Sequence, residues 1–537
     1  MRKISECTKE VISENQFRSA IDRLEKETGI HISEWSGCAD GQTEPPRYIL
    51  FIETDVFVTP GQTAVMREIL EKSLLQASSS YAALQAEGGL GPLVLKVLQS
   101  QTHQLYRELL AYKGISDGQA ESGHIIHDPE REELLWELIE KSRTSRLSES
   151  ARNYRQSEIG KMFRLAANYP DTINLCNGEP DFETPMHIVD AAHAALVSGE
   201  NKYAPDPGIL PFREAVAEKY TAQFGYPFDA QDCLASLGGS EAIWLAMSAL
   251  LNPGDEVIIP DPAYHSYETQ ARSVNAVPVR VPLREENGFQ LDPKELERSV
   301  TMRTKAIVLN YPSNPIGAVL KKEDAEKLAE VILKYDLIVI SDEVYERLVF
   351  DGRRHFSMAQ IPEMKDHVIV VNSLSKTYSM TGWRIGYAVC KDRELIQSMA
   401  MIQQTVASVP PTFIMHAAAA ALTGPQDCVE TMRRKYERRR DLLYKGLCDV
   451  LGLKPFRTEG SFCTFINMKE IMDRYAVTSA EFVSRLLQKG RVMSLPGTAF
   501  GSMGEGYVRL CFANSDENIL EGIRRIRKFV TEEFPVK

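Results

Sequence analysis

The sequence predicts an α/β fold whose larger part is a doubly wound, mostly parallel β-sheet. From residue 151 onward, short apolar segments bounded by Gly and Pro alternate with helical segments such as GGSEAIWLAMSALL and KKEDAEKLAEVILKY. The short segments lack a polar face, which is typical of strands in a parallel sheet that helices cover on both sides: DEVIIP, AVPVRVPL, KAIVLNYP, LIVISDEVY, HVIVVNSLS and RIGYAVC. We expect ligands at the carboxyl ends of these strands.

The chain is too long for one hydrophobic core, because its 537 residues exceed the ~100–200 of a typical domain. Compositional joints lie at KGISDGQAESGHIIHDPE and RTSRLSES. They predict a small α+β domain over 1–125, a helical linker over 126–150 and an α/β domain over 151–537. We expect the α/β domain to have a large part at about 200–435 and a small part formed by about 151–195 together with 436–537. The linker helix, EREELLWELIEK, has few apolar positions; the alternative is that it belongs to the core of the first domain.

The first 125 residues combine helical spacing in FRSAIDRLEKETGI and AVMREILEKSLLQA with strand-like RYILFIETDVFV and PLVLKVLQ. Together with Arg47-Tyr48, Phe51, Glu53, SSYAALQAEGGLGPLVLKVL and Gly118-Gln119, this pattern resembles the C-terminal domain of the GH3 acyl-acid-amido synthetases, an adenylate-forming family. That family usually has a basic residue and a proline after Gly-Gln, where this chain has AESGH. We therefore expect a binding, docking or dimer-supporting module without its own catalysis, open to a protein or carrier partner.

Composition narrows the class of protein. The net charge of -12 and the pI near 5.5 argue against nucleic acid as the main partner. The nine Cys contain no CxxC pair, which predicts thiols in a reducing compartment and no metal site. The first residues, MRKISECTKEVISENQF, have no apolar signal core, and no run approaches the ~18 apolar residues that span a membrane. These features predict a cytoplasmic protein without a membrane partner.

The segment VVNSLSKTYSMTGWRIGYAV contains the candidate reactive residues. Lys376 follows an apolar strand, and burial lowers the pKa of a lysine, as Schiff-base chemistry requires. Ser373 and Ser375 supply hydroxyl donors beside it, and the guanidinium fork of Arg384 matches a phosphate group. The segment therefore predicts a reactive lysine next to a phosphate site.

With this segment in place, the chain from about residue 157 to its end resembles the fold-type I, pyridoxal-phosphate-dependent aminotransferases of class I/II. Other motifs that carry the resemblance occur in the family's order: NLCNGEPDFETP, NKYAPDPGILPFRE, LASLGGSEAIWLAM, DPAYHSYE, NYPSNPIGAVL, LIVISDEVY and EGYVRLCFAN. The resemblance implies pyridoxal 5'-phosphate held as a Schiff base of Lys376, which also acts as the catalytic base. It also implies a homodimer, since Tyr203 matches a tyrosine that reaches the phosphate of the neighbouring subunit.

The other expected contacts with the cofactor combine physical reasoning with the resemblance. Backbone N–H groups of Gly239, Ser240 and Glu241 open a helix, where an anion binds. Asp342 ends an apolar strand and needs a partner, which the cofactor's ring nitrogen supplies; the alternative is a helix N-cap. The resemblance implies that Tyr264 stacks on the ring and that Asn314 and Tyr345 share the ring oxygen.

The resemblance also assigns the substrate contacts. Arg509 matches the arginine that grips the α-carboxylate, Gly178 approaches this carboxylate by its backbone, and Asn314 lies beside both cofactor and substrate. Candidates for the side-chain pocket are Tyr154, Arg155, Phe182 and Phe500, and the sequence offers no certain second arginine for a dicarboxylate.

These residues predict a transaminase that moves an amino group between an L-amino acid and a 2-oxo acid, with Lys376, Asp342 and Tyr345 as catalytic residues. A lyase, a β/γ-elimination or replacement enzyme, or an oxidase on the same cofactor stays open, because these enzymes share the cofactor contacts. A minor alternative is an aminotransferase-like transcription regulator, which requires a basic N-terminal module. Residues 1–120 instead hold 12 Lys and Arg against 16 Asp and Glu.

Overall fold

The computed structural model describes residues 12–40, 43–54, 58–98, 102–112, 124–126, 129–143 and 158–535. The chain forms two compact units, Met1–Glu149 and Ser150–Lys537, which meet in sequence at the RTSRLSES segment. Of the helices within the described ranges, none combines the length and apolar composition that a membrane crossing requires.

The first unit is a small α+β structure. Its elements are α1 Glu14–Thr28, β1 Ile32–Asp40, β2 Arg47–Thr54, α2 Pro60–Ala77, α3 Ser79–Ala86, β3 Val94–Leu98, α4 Thr102–Tyr112 and α5 Pro129–Arg143. Strand β2 pairs antiparallel with β1 and parallel with β3. The sequence motifs did not reveal β1, because Ser36, Gly37 and Cys38 interrupt its apolar pattern. Gly118-Gln119 lie outside the described residues.

Helix α5, predicted as a linker, packs into the core of the first unit instead. Leu134, Leu135 and Ile139 are buried against Phe51 and Tyr106. These three apolar positions fall on one helical face and suffice to hold the helix to the sheet. The alternative considered from the sequence, that this helix is part of the first domain's core, is therefore the arrangement present.

The second unit confirms the doubly wound, mostly parallel sheet. Its strands are β4 Ile173–Asn174, β5 Cys233–Ser236, β6 Glu256–Asp261, β7 Val277–Pro282, β8 Thr304–Asn310, β9 Ile338–Asp342, β10 Val368–Ser373, β11 Gly386–Val389, β12 Lys454–Pro455, β13 Cys463–Asn467, β14 Val492–Met493, β15 Leu495–Pro496 and β16 Tyr507–Cys511. Seven of them form one sheet in the order β5-β11-β10-β9-β8-β6-β7. Only β11 runs antiparallel to its neighbours in that sheet.

Helices cover both faces of the large sheet. The helices of the second unit within the described residues are α6 Glu158–Ala166, α7 Met186–Val197, α8 Leu210–Phe224, α9 Gly239–Leu250, α10 Ser266–Ser273, α11 Pro293–Ser299, α12 Lys322–Lys334, α13 Leu374–Thr377, α14 Arg393–Val406, α15 Thr412–Thr423, α16 Asp427–Cys448, α17 Lys469–Tyr475, α18 Ser479–Arg485 and α19 Asp516–Glu533. Alternate residues of one strand enter different cores: Ile258 joins one apolar cluster, whereas Val257 and Ile259 join another. Two buried faces explain why the strands read as continuous apolar runs.

A second, four-stranded sheet in the order β12-β13-β16-β15 is built from the C-terminal part of this unit. Strand β14 pairs with β4, so residues 173–174 join the C-terminal segment rather than the large sheet. This pairing brings the loop after β4 close to the site described next.

Candidate active site

A cavity of about 500 Å³ lies at the carboxyl ends of β8, β9 and β10. It brings together twelve residues singled out in the sequence: Gly178, Gly239, Ser240, Tyr264, Asn314, Asp342, Tyr345, Ser373, Ser375, Lys376, Arg384 and Arg509. Glu241 and Tyr203 are not among the residues that line it. The location is the one expected for a ligand of a parallel sheet.

The turn from β5 into α9 forms one end of the cavity. Gly238 has a positive φ of +84°, and a Cβ at this position would lie 2.8 Å from Nη2 of Arg384. Arg384 donates from Nη2 to the carbonyl oxygen of Leu237 at 3.0 Å and from Nη1 to that of Thr381 at 3.1 Å. A glycine turn, a helix N-terminus and a guanidinium at one point form a suitable anion site.

Glu241 stabilises this turn through its side chain. Its Oε2 accepts hydrogen bonds from the backbone N–H of Leu237 at 2.6 Å and from Nε2 of Gln403 at 2.9 Å. The Glu241 carboxylate thus stabilises the turn without lining the cavity, whereas Gly239 and Ser240 do line it. A contact of the Glu241 backbone with a phosphate stays a prediction.

The lysine lies just past the end of β10. Nζ of Lys376 donates to the carbonyl oxygen of Gly178 at 2.6 Å. Burial lowers the pKa of Lys376, and the nearby Arg384 acts in the same direction. The hydroxyl of Ser373 donates to that of Ser375 at 2.8 Å and accepts from the Ser375 backbone N–H at 3.2 Å, which fixes the loop that carries the lysine.

Asp342 is a buried carboxylate at the end of β9. The hydroxyl of Tyr267 donates to its Oδ2 at 2.5 Å, and the backbone N–H of Val344 donates to Oδ1 at 3.3 Å. Burial nevertheless raises the pKa of Asp342 to about 6. Residues 344–347 form a turn and not a helix, so the helix-cap alternative does not apply. No Lys, Arg or His in the described ranges forms an ion pair with this carboxylate.

Two residues beside Asp342 were missed in the sequence. Tyr267 lies three positions after Tyr264, and this helical spacing places both rings together, with centroids 5.6 Å apart. Nδ2 of Asn310 donates to the Asp342 carbonyl at 3.0 Å, and Oδ1 of Asn310 accepts from the backbone N–H of Asn314 at 2.8 Å. A polar residue at the end of the apolar run KAIVLN was the available signal for Asn310.

Arg509 is buried on β16 and faces the cavity. Its Nη2 donates to the Cys176 carbonyl at 2.5 Å, and its Nη1 donates to Oδ1 of Asn314 at 3.2 Å. Its guanidinium lies 5.0 Å from the ring centre of Phe500. The Nε of Arg509 is buried without a hydrogen-bond partner among the described residues. This group can still donate to a ligand.

The remaining predicted residues occupy different places. Tyr345 is buried in the cavity wall, with its ring 5.2 Å from that of Phe462 in an edge contact. Tyr203 is 96% exposed. Phe182 packs edge-on against Tyr436 at 5.2 Å and does not line the cavity. Tyr154 and Arg155 lie outside the described residues. Phe163, Asn177, Glu179 and His265 line the cavity although they were not singled out from the sequence; the last three lie within two of the motifs named above.

Comparisons with known proteins cover both units. Residues 170–526 match the family model described as aminotransferase class I and II, and residues 15–130 match the GH3 family C-terminal domain. The aspartate aminotransferase of Pyrococcus abyssi (strain GE5 / Orsay) is 42% identical over 70% of this chain and 96% of its own length. Aromatic-amino-acid aminotransferase 2 of Thermococcus litoralis is 39% identical over 72% of this chain and 98% of its own length. The solved structure of an aromatic aminotransferase from Pyrococcus horikoshii OT3 has a TM-score of 0.66 and 40% identity over 70% of this chain and all of that one.

Proposed function

The chain belongs to the class I and II aminotransferases, pyridoxal-phosphate enzymes that move an amino group between an amino acid and a 2-oxo acid, and we propose which of its residues do so. The relatives and the solved structure named above are all aminotransferases. The lyase, elimination and oxidase alternatives, and the regulator alternative, find no support among them.

The residues of the cavity fit pyridoxal phosphate. Gly238 leaves room for the guanidinium of Arg384, so the glycine turn and this cation together suit a phosphate group. Among the described residues, no cation forms an ion pair with the buried carboxylate of Asp342, which suits a protonated ring nitrogen. We propose that Gly239, Ser240, Ser373, Ser375 and Arg384 hold the phosphate, whereas Tyr264, Asn314 and Tyr345 hold the ring.

When bound, pyridoxal phosphate supplies an electron sink for negative charge at the substrate's Cα. Lys376 is the base that takes the Cα proton, and its lowered pKa supports this role, because a neutral amine is needed. The ionised carboxylate of Asp342 stabilises positive charge at the ring nitrogen. Arg509 orients the substrate by its α-carboxylate. It uses its Nε, which has no hydrogen-bond partner among the residues that the structure describes, and its Nη1, which donates to Asn314 in this structure.

The observation that carries these assignments is the convergence of Lys376, Asp342, Arg384 and Arg509 on one cavity. Replacing Lys376 with Ala tests them, with Lys322→Ala as the control because Lys322 is exposed on α12. We expect Lys376→Ala to lose turnover of amino acid to 2-oxo acid and the cofactor's lysine-bound absorbance. Lys322→Ala keeps both. Turnover at the level of the unmodified enzyme in Lys376→Ala contradicts the assignment.

For the substrate, we propose an aromatic amino acid, with aspartate as the second candidate. Phe163, Ile243 and Tyr264 give the cavity an apolar wall. Arg384 and Arg509 are the arginines among its described lining residues, and both have proposed partners. Relatives named for aspartate favour the second candidate. Comparing kcat/KM for phenylalanine, tyrosine and aspartate with one 2-oxo acid decides between them.

We also propose a homodimer in which Tyr203 of one subunit serves the site of the other. Tyr203 is exposed and is not among the described residues that line the cavity of its own chain, which supports this proposal. Mixing inactive Lys376→Ala and impaired Tyr203→Phe subunits tests it, because a mixed dimer regains one site with both native residues. Without shared sites, mixing gives no activity above the average of the two variants.

A cytoplasmic location is proposed from the sequence, and the buried, unpaired thiols such as Cys233 and Cys390 are compatible with a reducing compartment.

We further propose that the first unit docks a protein or carrier partner. Because α5 packs within this unit, the deletion that tests it removes residues 1–149 rather than 1–125. Unchanged kinetics with free substrates and with a carrier-bound substrate contradict a docking role.

A further inference from the structure

A second, larger cavity of about 820 Å³ lies in the same unit, and we refer to it as the rear cavity. Asn372, Ser373, Leu374 and Thr377, which surround the lysine in sequence, form part of its wall. Ser373 lines both cavities, whereas Lys376 lines only the active-site cavity. The size of the rear cavity is in the range of small-molecule sites, ~300–1,000 Å³.

Positive charge dominates the rear cavity. Its wall contains five Lys and Arg residues, against two Glu residues: Lys219, Arg347, Arg353, Arg354 and Arg433, with Glu346 and Glu430. Three of the cations are paired. Lys219 bonds to Glu346, Arg353 lies 3.1 Å from Glu459, and Arg433 lies 2.9 Å from Glu430.

Two arginines on the rim of the rear cavity are left without partners. Within the part of the chain that the structure describes, Arg347 and Arg354 make no ion pair and no side-chain hydrogen bond. Both residues are exposed, and no carboxylate of the described residues pairs with either charge. Their guanidinium groups are therefore available for an anion.

A buried histidine belongs to the wall of the same cavity. The side chain of His355 is only 6% exposed, and its Nε2 lies 2.8 Å from Glu343. Nδ1 of His355 is buried without a hydrogen-bond partner among the described residues, although His355 lines the rear cavity. A buried imidazole nitrogen without a partner is uncommon in proteins and requires a ligand or water.

We propose that the rear cavity binds a small organic dianion, a dicarboxylate or a phosphate monoester. Arg347 and Arg354 supply two positive charges. The imidazolium form of His355, in which Nε2–H donates to the Glu343 carboxylate, donates a further hydrogen bond from Nδ1–H. A guanidinium pairs with two oxygens of a carboxylate or a phosphate, so both anions share the chemistry that the site recognises. The three proposed anion contacts, Arg347, Arg354 and His355, are not among the proposed cofactor and substrate contacts, although Ser373 borders both cavities. Binding at the rear cavity does not depend on the reaction proposed above.

A chain of hydrogen bonds connects the rear cavity with the lysine loop. Nζ of Lys219 donates to the hydroxyl of Tyr387 at 2.8 Å, which also accepts from the hydroxyl of Tyr220 at 3.5 Å. Nδ2 of Asn372 donates to the Tyr220 hydroxyl at 3.2 Å, and Oδ1 of Asn372 accepts from the Ser373 backbone N–H at 2.7 Å. A ligand in the rear cavity thus lies next to groups that hold the catalytic loop, and regulation of the enzyme is the expected use of the site.

The test is calorimetric titration of the full-length holoenzyme with succinate and with glycerol 3-phosphate as probes. The variants are Arg347→Ala/Arg354→Ala and, as the matched control, Arg298→Ala, an exposed arginine on α11 that lines neither cavity. Arg384 and Arg509 stay intact in all of them, so any loss of affinity reports on the rear cavity.

We expect at least one probe to bind saturably, with a Kd raised about tenfold or more in the double variant and unchanged in Arg298→Ala. The probe that responds identifies the preferred dianion. Equal affinity in the double variant overturns the proposal, as does an equal loss in Arg298→Ala. A holoenzyme that binds neither probe saturably also overturns it.

Discussion

Replacing Tyr267 with Phe removes the side-chain hydroxyl that, within the described part of the chain, donates to the carboxylate of Asp342. The Tyr267 hydroxyl lies 2.5 Å from Oδ2 of Asp342, and burial has already raised the pKa of Asp342 to about 6. A hydrogen bond to a charged group contributes about 1.5–3 kcal/mol. Since 1.36 kcal/mol corresponds to one pKa unit, its loss raises the pKa of Asp342 by about one to two further units.

The direction of the effect on activity follows from the charge that Asp342 must carry. The carboxylate acts only when ionised, so activity is lost as the pH falls through its pKa. A higher pKa moves this acidic limb upward. We therefore expect the acidic limb of kcat/KM in Tyr267→Phe to shift to higher pH by about one to two units. At pH 6 the affinity for pyridoxal phosphate weakens as well, because a neutral Asp342 attracts the ring nitrogen less.

The measurements are a pH profile of kcat/KM and cofactor titrations of the apoenzyme at several pH values. Tyr264→Phe is the matched control, since it removes a hydroxyl from the same cavity and leaves the bond between Tyr267 and Asp342 intact. An acidic limb at the same pH in Tyr267→Phe and the unmodified enzyme, with both proteins folded, refutes the role assigned to Tyr267.

Three further outcomes are expected. Gly238→Ala weakens pyridoxal phosphate binding by about tenfold, because its Cβ would lie 2.8 Å from Arg384 at a φ of +84°, and absorbance titration measures this. Lys219→Met removes the ion-pair partner of buried Glu346 and lowers the free energy of unfolding by about 3–5 kcal/mol, as urea unfolding measures. The double variant Lys219→Met/Glu346→Leu recovers most of that loss. Asp351→Asn lowers stability by about 1–2 kcal/mol at pH 7, because Asp351 is about one third exposed but its partner on α16, Arg440, is buried. Hydrogen bonds from Arg440 and Arg457 lower the pKa of Asp351 from 3.8 to about 2. The difference in the free energy of unfolding between Asp351→Asn and the unmodified protein is therefore constant above pH 4 and disappears as the pH falls through about 2.

Much of the large sheet could be predicted because its pattern is local. Strands such as VIVVNS are buried on both faces, and that burial is visible in consecutive apolar residues. The polar residues Asp342 and Ser373 stand at the last position of their strands, and the ends of neighbouring parallel strands meet at one edge. Lys376, three residues beyond such an end, therefore had to lie near Asp342.

The first unit was harder to predict, because its elements depend on partners elsewhere in the chain. Strand β1 contains Ser36 and Gly37 and becomes a strand by pairing with β2. Helix α5 has a charged composition, yet Leu135 is fully buried against the sheet. Neither outcome follows from local propensity, since tertiary contacts override it.

The sequence by itself determined the family, the cofactor and the set of polar residues at the strand ends, because each depends on the order of residues within one segment. Only the tertiary structure decided which of these polar groups have a hydrogen-bond partner. Tyr267 and Asp342 are 75 positions apart, and Arg509 reaches Cys176 across 333 positions. Likewise, only the folded chain shows that Nε of Arg509 and Nδ1 of His355 have no hydrogen-bond partner within the described ranges. A hydrogen bond requires atoms to approach within about 3 Å, and the packing of distant segments sets that distance.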